Sequence, residues 1–418
     1  MFEMVPTSMD VRAGSLGGLR QRNRLRVIDV LRRRGAASRA EIARRTGLSR
    51  TTVSSLVGDL QRDGLVTERA AEEAPRGPEG GRPGVLVTLD PRAGALAGVD
   101  FGHDRIRIAI SDLGYQVLAE DAVDIDIDDG AQAALDAAEA MFDGLLAQVG
   151  MTRDHVQAAG MGLSGPIDRR TKRLRSSRIL PGWTDLQPGD ELAARLGVPV
   201  HLDNDANVGA LGEWMFGAGR ESEVMAYVRL SAGVGLGLVV GGQTFRGASG
   251  TAGELGHVLA DIDGPICRCG NRGCLEAVVA GPALVEPLRL SHGELSVAEL
   301  LRLAAEGDRG CQRVIQDAAR VVGRALASVC TILNPDVVVI GGDLAPAGEL
   351  LLEPLREAVR TFAIPAAADS VAVVPGVLAE RAELLGALAL AGHESGDALG
   401  VGVSPQAPPS ISSRRVTT

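Results

Sequence analysis

One histidine and three cysteines of this 418-residue sequence stand close together, at His257, Cys267, Cys269 and Cys274. Three thiolates and one imidazole form the closed tetrahedral ligand set that is typical of structural zinc. Gly270 and Gly273 lie inside the segment and let the chain bend back, so that the last cysteine can reach the same ion. The spacing therefore predicts one structural Zn²⁺ per chain.

Two further cysteines, Cys311 and Cys330, lie in a helical stretch, where the simpler interpretation is a buried free thiol. That interpretation fits the clustered cysteines poorly, because they stand among Gly, Arg and Asn. The N-terminal residues lack the apolar segment of a signal peptide, and no stretch is long and apolar enough to cross a membrane. We therefore expect a cytoplasmic protein with reduced thiols and no membrane partner.

A run of carboxylates and amides, Asp203-Asn204-Asp205-Ala206-Asn207, follows the short apolar strand Val200–Leu202 and starts a helix. Side chains of these types at such an edge can bind polyol hydroxyls, or one acid can act as a general base. The same run is equally well a helix cap with solvated aspartates, and both interpretations stay open here. Glu254 and Glu276 bracket the clustered cysteines and can point into the same cleft.

The N-terminal part begins with two predicted helices. Apolar residues at helical spacing predict the first over residues 20–34, and Gly35 ends it. Ser38, followed three residues later by Glu41, is a capping box that opens a short second helix through Arg45.

A turn at Gly47 leads to a third helix, which Ser49 caps and which runs to about Asp63. Two β-branched runs, Leu65–Thr67 and Val85–Leu89, then flank a loop at 75–83. Three helices followed by a hairpin predict a winged helix-turn-helix, an α+β fold.

Polar side chains gather at the start of the third helix, where a recognition helix meets base edges and phosphates. The predicted contacts to double-stranded operator DNA are Ser38, Arg39, Ser49, Arg50, Thr51, Thr52 and Ser54, with Arg82 of the wing entering an adjacent minor groove. The apolar residues expected to face the core are Ile42, Ala43, Leu48, Val53 and Leu56. A helical hairpin with a solvated basic face is the simpler interpretation, but caps, turn, wing and charge together favour DNA binding.

Charge is distributed unevenly along the chain. The net charge is -10, yet residues 20–69 contain 13 arginines against 5 acids, a local balance of +8. A protein that coats nucleic acid along its whole surface is therefore excluded, and a small basic module joined to a large acidic one is indicated.

From about Ala97 the pattern becomes α/β, and it repeats. Strands at Arg105–Ile110 and Gln116–Ala119 flank a turn at 112–114, and strands at Met225–Leu230 and Gly233–Val240 open a similar meander in the second half. Two halves of this kind suggest an internal duplication. The predicted helices are Ala131–Gln148, Asp205–Trp214, Val297–Ala304 and Gly310–Leu333, with a further strand at Val337–Ile340.

The cysteine segment also resembles a known family. Gly253-Glu254-Leu255-Gly256-His257, followed by Cys267-Arg268-Cys269-Gly270-Asn271-Arg272-Gly273-Cys274-Leu275-Glu276, closely resembles the signature of the ROK family of repressors, open reading frames and sugar kinases. Asp203–Asn207 matches the sugar-binding and catalytic segment of that family, and Asn334–Gly342 is similar to its nucleotide-proximal strand and turn. The resemblance runs from about Ala97 to Gly392.

This resemblance implies an actin/hexokinase-like domain of two ribonuclease-H-like lobes around a cleft. The effector contacts that it implies are Asn204, Asp205, Glu254, His257 and Glu276, with His257 also binding zinc and Asp205 at the position of the kinases' catalytic base. The fused DNA-binding module resembles that of the repressor branch, whose members respond to sugars or sugar phosphates and assemble as homodimers or homotetramers.

Both phosphate loops depart from the kinase pattern. An Asp-x-Gly-Gly-Thr-type loop is replaced by Asp100-Phe101-Gly102-His103-Asp104, and a Gly-Thr-Gly loop by Ser231-Ala232-Gly233. The lost glycine would let the backbone approach a phosphate closely, and the added negative charge repels phosphates. Both changes disfavour the binding of ATP, so we expect no catalytic residues and no enzyme activity. Ile179 replaces an asparagine that helps to hold the sugar, which predicts a weak, altered or absent effector.

The sequence therefore predicts a ROK-family transcriptional regulator, a repressor of carbohydrate metabolism that responds to a sugar or sugar phosphate. Two alternatives stay open: an ATP-dependent sugar kinase with an accessory DNA-binding domain, and an oligomeric regulator that needs no ligand. The expected parts are a flexible arm (1–19), the winged helix-turn-helix (20–91), a first lobe (92–205), a second lobe whose last helix returns to the first (206–395), and a disordered tail (396–418).

Overall fold

The computed structural model describes residues 16–70, 85–128, 130–175 and 179–394. They fall into two compact units: the first comprises the described residues up to Ala93 together with Glu394, and the second spans Gly94–His393. Arg82 lies outside the described residues, as do the expected tail and most of the expected arm. No helix of the described ranges is long and apolar enough to span a membrane.

The first unit contains three helices and a three-stranded antiparallel sheet of order β1-β3-β2. Its elements are α1 (Leu16–Arg34), β1 (Ala36–Ser38), α2 (Arg39–Thr46), α3 (Arg50–Arg62), β2 (Val66–Ala70) and β3 (Val85–Leu89). This is the predicted winged helix-turn-helix, although α1 already begins at Leu16, within the expected arm. Strand β1 was not predicted, because three residues are too few to show a periodicity.

Side-chain caps fix the two helices of the helix-turn-helix. The Ser38 hydroxyl accepts a hydrogen bond from the backbone N–H of Glu41 (3.2 Å), as predicted. The carboxylate of Glu41 pairs with Arg45 (Nε–Oε1 3.2 Å) rather than completing the reciprocal half of a capping box. Gly47 ends α2 with φ 68°, in the left-handed region that favours glycine, and thereby makes the turn.

The core of this unit contains four of the five apolar residues predicted for it. Ile42, Ala43, Val53 and Leu56 are buried. Leu48 is only half-buried, and Thr46 is buried nearby instead. The Thr46 hydroxyl donates to the carbonyl of Ile42 (2.7 Å) and accepts from the N–H of Leu48 (3.3 Å), so a polar side chain bonded to the backbone is buried at the turn.

Ion pairs hold α1 against α3. The guanidinium of Arg20 binds the carboxylate of Asp59 (Nε–Oδ2 3.0 Å), and Arg24 binds Asp63 (Nη2–Oδ2 2.5 Å). The hydrogen bond from Arg20 holds the pKa of Asp59 below its ordinary value. Part of the N-terminal arginine excess is therefore used to position α3.

The second unit consists of two lobes. The elements of the first lobe are β4 (Ala95–Phe101), β5 (Arg105–Asp112), β6 (Val117–Asp124), α4 (Ala131–Gln148), β7 (Val156–Leu163), α5 (Pro188–Leu196) and β8 (Val200–Asn204). Helix α6 (Asp205–Phe216) comes next and lies against the second sheet, where its residues Ala206 and Ala210 meet Gly237. Those that follow are β9 (Val224–Leu230), β10 (Val234–Val240), β11 (Gln243–Thr244), α7 (Leu275–Val279), α8 (Gly281–Val285), α9 (Arg289–His292), α10 (Val297–Ala305), α11 (Arg309–Leu333), β12 (Val337–Gly341), α12 (Glu349–Phe362), α13 (Pro365–Ser370), β13 (Ala372–Pro375) and α14 (Ala382–Glu394).

The two five-stranded sheets share one plan. Their orders are β6-β5-β4-β7-β8 and β11-β10-β9-β12-β13. In each, the first three strands pair antiparallel and the last two join in parallel. The predicted duplication into two ribonuclease-H-like lobes is confirmed.

Each sheet has its own apolar core, and the final helix bridges them. Ala387 and Leu388 of α14 lie against Gly98 and Gly160 in the central strands of the first sheet. A residue of the same helix, Glu383, accepts a hydrogen bond from the Tyr227 hydroxyl of β9 in the second sheet (3.1 Å).

Candidate DNA-binding face and ligand cavity

The start of α3 presents a polar face to solvent. Ser49, Arg50, Thr51 and Ser54 are exposed, and Thr52 is half-buried. The Ser49 hydroxyl accepts a hydrogen bond from the Thr52 backbone N–H (3.1 Å) and lies 2.8 Å from the hydroxyls of both Thr51 and Thr52. Arg50 forms no ion pair with any residue that the structure describes, so its guanidinium is available to a phosphate or a base edge.

The two predicted contacts at the start of α2 have structural partners. The Ser38 hydroxyl caps α2, and Arg39 forms an ion pair with Glu68 of β2. Arg39 thus links the helix-turn-helix to the wing sheet.

The four predicted metal ligands converge at the turn before α7. The ligand atoms of His257, Cys267, Cys269 and Cys274 all lie within 4.8 Å of one another. Cys269 and Cys274 have their sulfurs 3.6 Å apart, and the Cys267 sulfur lies 3.6 Å from Nδ1 of His257. Ligands at ordinary zinc distances in a tetrahedron are separated by about 3.5–3.8 Å, so this cluster fits a tetrahedral ion.

A tight loop brings the last cysteine back to the first. The backbone N–H of Cys267 donates to the carbonyl of Asn271 (2.8 Å), which closes the loop. Gly273 has φ 66°, and a Cβ there would stand 1.5 Å from the carbonyl oxygen of Asp261. Only glycine fits this position, which places Cys274 beside His257.

All five predicted effector residues line one cavity of the second unit. They are Asn204, Asp205, Glu254, His257 and Glu276. The cavity is open to solvent and, counted together with its open mouth, encloses about 610 Å³. His103 and Ile179, two of the noted departures from the kinase pattern, line it as well.

The run Asp203–Asn207 contributes both a helix cap and part of the cavity wall. Asn204 caps α6, because its Oδ1 accepts from the backbone N–H of Ala206 (2.9 Å). Asp203 is not solvated: it is buried and binds Arg246 (2.6 Å) and the amide of Asn207 (2.9 Å). Asp205 faces the cavity.

The two glutamates at the cavity differ in their partners. Glu276 is held by Arg268 (Nε–Oε1 2.8 Å) and by the backbone N–H of Val234 (3.2 Å). Burial, together with the nearby charges of Asp205 and Glu276, raises the pKa of Glu254 to about 7. Glu254 also lies 3.8 Å from Nε2 of His257, so the metal cluster and the cavity share a wall.

The altered loops differ in their relation to the cavity. His103 lines it and is fixed by Asp128 (Nδ1–Oδ1 2.8 Å). Asp104, expected to face the site of phosphates, is exposed and is not among the cavity-lining residues that the structure describes. The hydroxyl of Ser231 accepts from the backbone N–H of Asp343 (3.1 Å), so it already has a partner within the fold.

Sequence reasoning missed several cavity residues. Ser164, Arg229 and Arg268 line the cavity. So does Asn207, whose buried Oδ1 has no hydrogen-bond partner within the described part of the chain. Arg229 could have been predicted as a site residue because it is the one charged residue in the apolar strand β9. The sequence around Ser164 contains no comparable feature.

Comparison with known proteins agrees with this architecture. The ROK family model matches residues 96–394, which is more than half of the chain. The chain belongs to the ROK family. A MarR family model matches residues 20–77, so this ROK protein carries a winged-helix domain ahead of its two lobes.

Relatives fall on both the repressor and the kinase side of the family. A putative xylose repressor of Caldicellulosiruptor sp. (strain Rt8B.4) is 29% identical over 89% of this chain and 96% of its own. A ROK family transcriptional regulator, a homolog of the E. coli Mlc protein, has a crystal structure with TM-score 0.75 and 27% identity over 91% of this chain and 98% of that one. The ROK hexokinase of Thermus thermophilus is 33% identical with TM-score 0.61, but covers 72% of this chain and 99% of its own, and so matches a shorter part.

Proposed function

We propose that this ROK protein is a DNA-binding transcriptional repressor that responds to a sugar or sugar phosphate. The convergence of five polar residues in one cavity, within a chain that also carries an exposed recognition helix, supports this proposal most strongly. Repressor relatives match nearly the whole chain, whereas the hexokinase matches only the part after the winged helix.

DNA binding rests on the polar start of α3. Arg50, Thr51, Thr52 and Ser54 would contact base edges and phosphates, and Ser49 orders this end of the helix. The contribution of Arg82 in the wing stays a prediction. Affinity selection of genomic fragments by the full-length protein, followed by anisotropy with the selected duplex, tests this role. Equal affinity for the selected duplex and a scrambled one would contradict it.

The effector would bind at the floor of the cavity. Asp205, Glu254 and Asn207 offer acceptors, while Asn204 and His257 complete the set that the family resemblance implies. Because Oδ1 of Asn207 is buried with no hydrogen-bond partner among the residues that the structure describes, a ligand hydroxyl there would satisfy it. Calorimetry with D-xylose, D-glucose and their phosphates tests the effector class, and the same panel tests whether operator affinity changes.

The metal cluster would hold one structural zinc. Four protein ligands leave no open position for a substrate, so the ion would supply folding energy rather than chemistry. It would stiffen the loop that carries Arg268 and Glu276 into the cavity wall. Metal analysis of protein purified without chelators decides the identity of the ion.

We further propose that the protein transfers no phosphoryl group and works in the cytoplasm as a homodimer or homotetramer. His103 fills a position where a phosphate loop needs a glycine, and Ser231 replaces another. Two recognition helices would match a two-fold symmetric operator. Sedimentation analysis tests the assembly. A dimer that binds operator but no sugar would favour the regulator that needs no ligand.

A further inference from the structure

Arg229 is a charged residue in a buried strand. It lies in β9, whose other residues are Val224, Met225, Ala226, Tyr227, Val228 and Leu230. Its side chain is only 18% exposed, and it lines the ligand cavity. A buried guanidinium is costly unless carboxylates pair with it, so the partners of Arg229 explain why it is there.

Two carboxylates from different helices bind this guanidinium. Nη1 of Arg229 lies 3.3 Å from Oδ2 of Asp205, at the start of α6. Nε lies 3.2 Å from Oε1 of Glu383 in α14. The Tyr227 hydroxyl donates to the same oxygen of Glu383 (3.1 Å) and so fixes that carboxylate. Arg229 therefore ties the cavity floor to the final helix.

The Asp205 oxygen nearest Arg229 is fully engaged. The Ser164 hydroxyl donates to Oδ2 at 2.8 Å, and the guanidinium approaches the same atom. The other carboxylate oxygen, Oδ1, accepts from the backbone N–H of Ala206 (2.8 Å). These contacts hold the carboxylate of Asp205 in one orientation at the cavity.

Other ionisable groups surround this pair. Asp100 of β4 contributes a carboxyl whose pKa is raised to about 7 by burial and by the charge of Glu383. Arg107 of β5 lies 3.5 Å from Asp100, and Glu213 of α6 adds a further charge near Tyr227. The neighbouring carboxylates Asp205 and Glu383 raise the pKa of Arg229 although burial opposes this, so its positive charge is permanent.

We propose that Arg229 is the positioning residue of the ligand site: it fixes Asp205 as an acceptor for a ligand hydroxyl and links it through Glu383 to α14. This rests on the proposed sugar binding.

The first test needs no ligand and uses the full chain. In Arg229→Met, the buried carboxylates of Asp205 and Glu383 lose their counter-charge, and the pKa of Glu383, which burial already raises in the wild type, should rise further. The resulting penalty is absent at low pH and grows as the pH rises past about 4. We expect the loss of Tm, on the order of 5 °C, to be larger at pH 8 than at pH 5. Adding Asp205→Asn should remove much of that pH dependence.

Arg195→Met is the matched control. Arg195 is similarly shielded (22% exposed) and pairs with Asp136 at 3.0 Å within the first lobe, but the carboxylate of Asp136 is largely exposed. In this variant the loss of Tm should not increase with pH. If the losses of Tm in Arg229→Met and Arg195→Met have the same pH dependence, the proposal is overturned.

The second test is calorimetry with D-xylose and D-glucose. Arg229→Met should weaken binding about 10-fold or more, Arg195→Met should leave it unchanged, and Arg229→Lys should restore it in part, because lysine keeps the charge but not the two-point geometry. Equal affinity of wild type and Arg229→Met would overturn the ligand-holding role. A wild-type protein that binds neither sugar would instead contradict the proposed effectors, and the pH test alone would then decide the role of Arg229. Arg229→Lys also serves in the pH test if the methionine variant does not fold.

Discussion

The sulfurs of Cys269 and Cys274 lie 3.6 Å apart, too far for a disulfide and close to the separation of two thiolates on one tetrahedral ion. The histidine and the third cysteine complete the set with a sulfur-to-nitrogen distance of 3.6 Å. The large apolar side chains of the loop around them, among them Leu259, Ile262 and Ile266, are exposed and not packed in a core, so a metal would be the main source of its stability.

We therefore expect one zinc per chain, with Zn–S distances near ~2.3 Å. Cys269→Ser should lose the metal and lower Tm, because three ligands hold the ion more weakly than four. Elemental analysis and thermal unfolding measure the two effects. The control is Cys330→Ser in the core of α11, which should lose stability but keep the metal. Wild-type protein without zinc would refute this assignment.

Arg50 should determine operator affinity through the recognition helix. Arg50→Ala and Thr52→Ala are expected to weaken binding to the selected operator more than to random DNA, by about 1–3 kcal/mol for a lost base contact. Titrations at several salt concentrations should show the logarithm of the binding constant falling with the logarithm of the salt concentration, with a slope of roughly -0.9 per phosphate contacted. Arg302→Ala, an exposed arginine of α10, is the control and should change neither. If Arg50→Ala weakened binding to operator and to random DNA equally, Arg50 would contact phosphates and not base edges.

Ser49 allows helix stability and DNA binding to be separated. Its hydroxyl accepts from Thr52 N–H, so Ser49→Ala should cost about 1 kcal/mol in the N-terminal unit. Aspartate caps as well as serine does, and Ser49→Asp should restore that stability. The added carboxylate would face phosphates, and operator affinity should still fall. Chemical denaturation and anisotropy measure the two properties. If Ser49→Asp bound operator like wild type, this end of α3 would not face the DNA backbone.

Glu254 should carry the response to a sugar without contributing to DNA binding. Glu254→Ala removes an acceptor from the cavity, so the sugar should no longer alter operator affinity, while ligand-free affinity stays unchanged. Anisotropy with and without D-xylose or D-glucose measures both. Glu306→Ala, an exposed acid of the same lobe, should respond like wild type. Loss of ligand-free DNA binding in Glu254→Ala alone would show instead that this residue supports the fold.

Phosphoryl transfer should be undetectable. His103 and Ser231 replace residues of the two phosphate loops, and Asp205 is held by Arg229. A coupled ATPase assay with a panel of hexoses and pentoses, run beside a ROK glucokinase, measures turnover. ATP consumption that depends on any of these sugars would restore the kinase alternative.

Local rules predicted much of this protein from its sequence. Residues such as Ser38, Ser49 and Gly47 fix helix ends through contacts a few positions away, so the helix-turn-helix could be placed to within one or two residues. The clustered ligands of the metal site lie within one loop, and their types alone identified them. Long regular elements such as α4 and α11 carried a clear periodicity.

Only the tertiary structure decided the rest. The edge strand β6 continues to Asp124 because it pairs with β5, although its last residues are exposed and acidic. Arg229, Asp205 and Glu383 stand far apart in the sequence, and no spacing rule joins them. They come together only when the two sheets and the returning helix are in place. Because a buried charge is costly unless an opposite charge pairs with it, the folded structure brings the three side chains into contact.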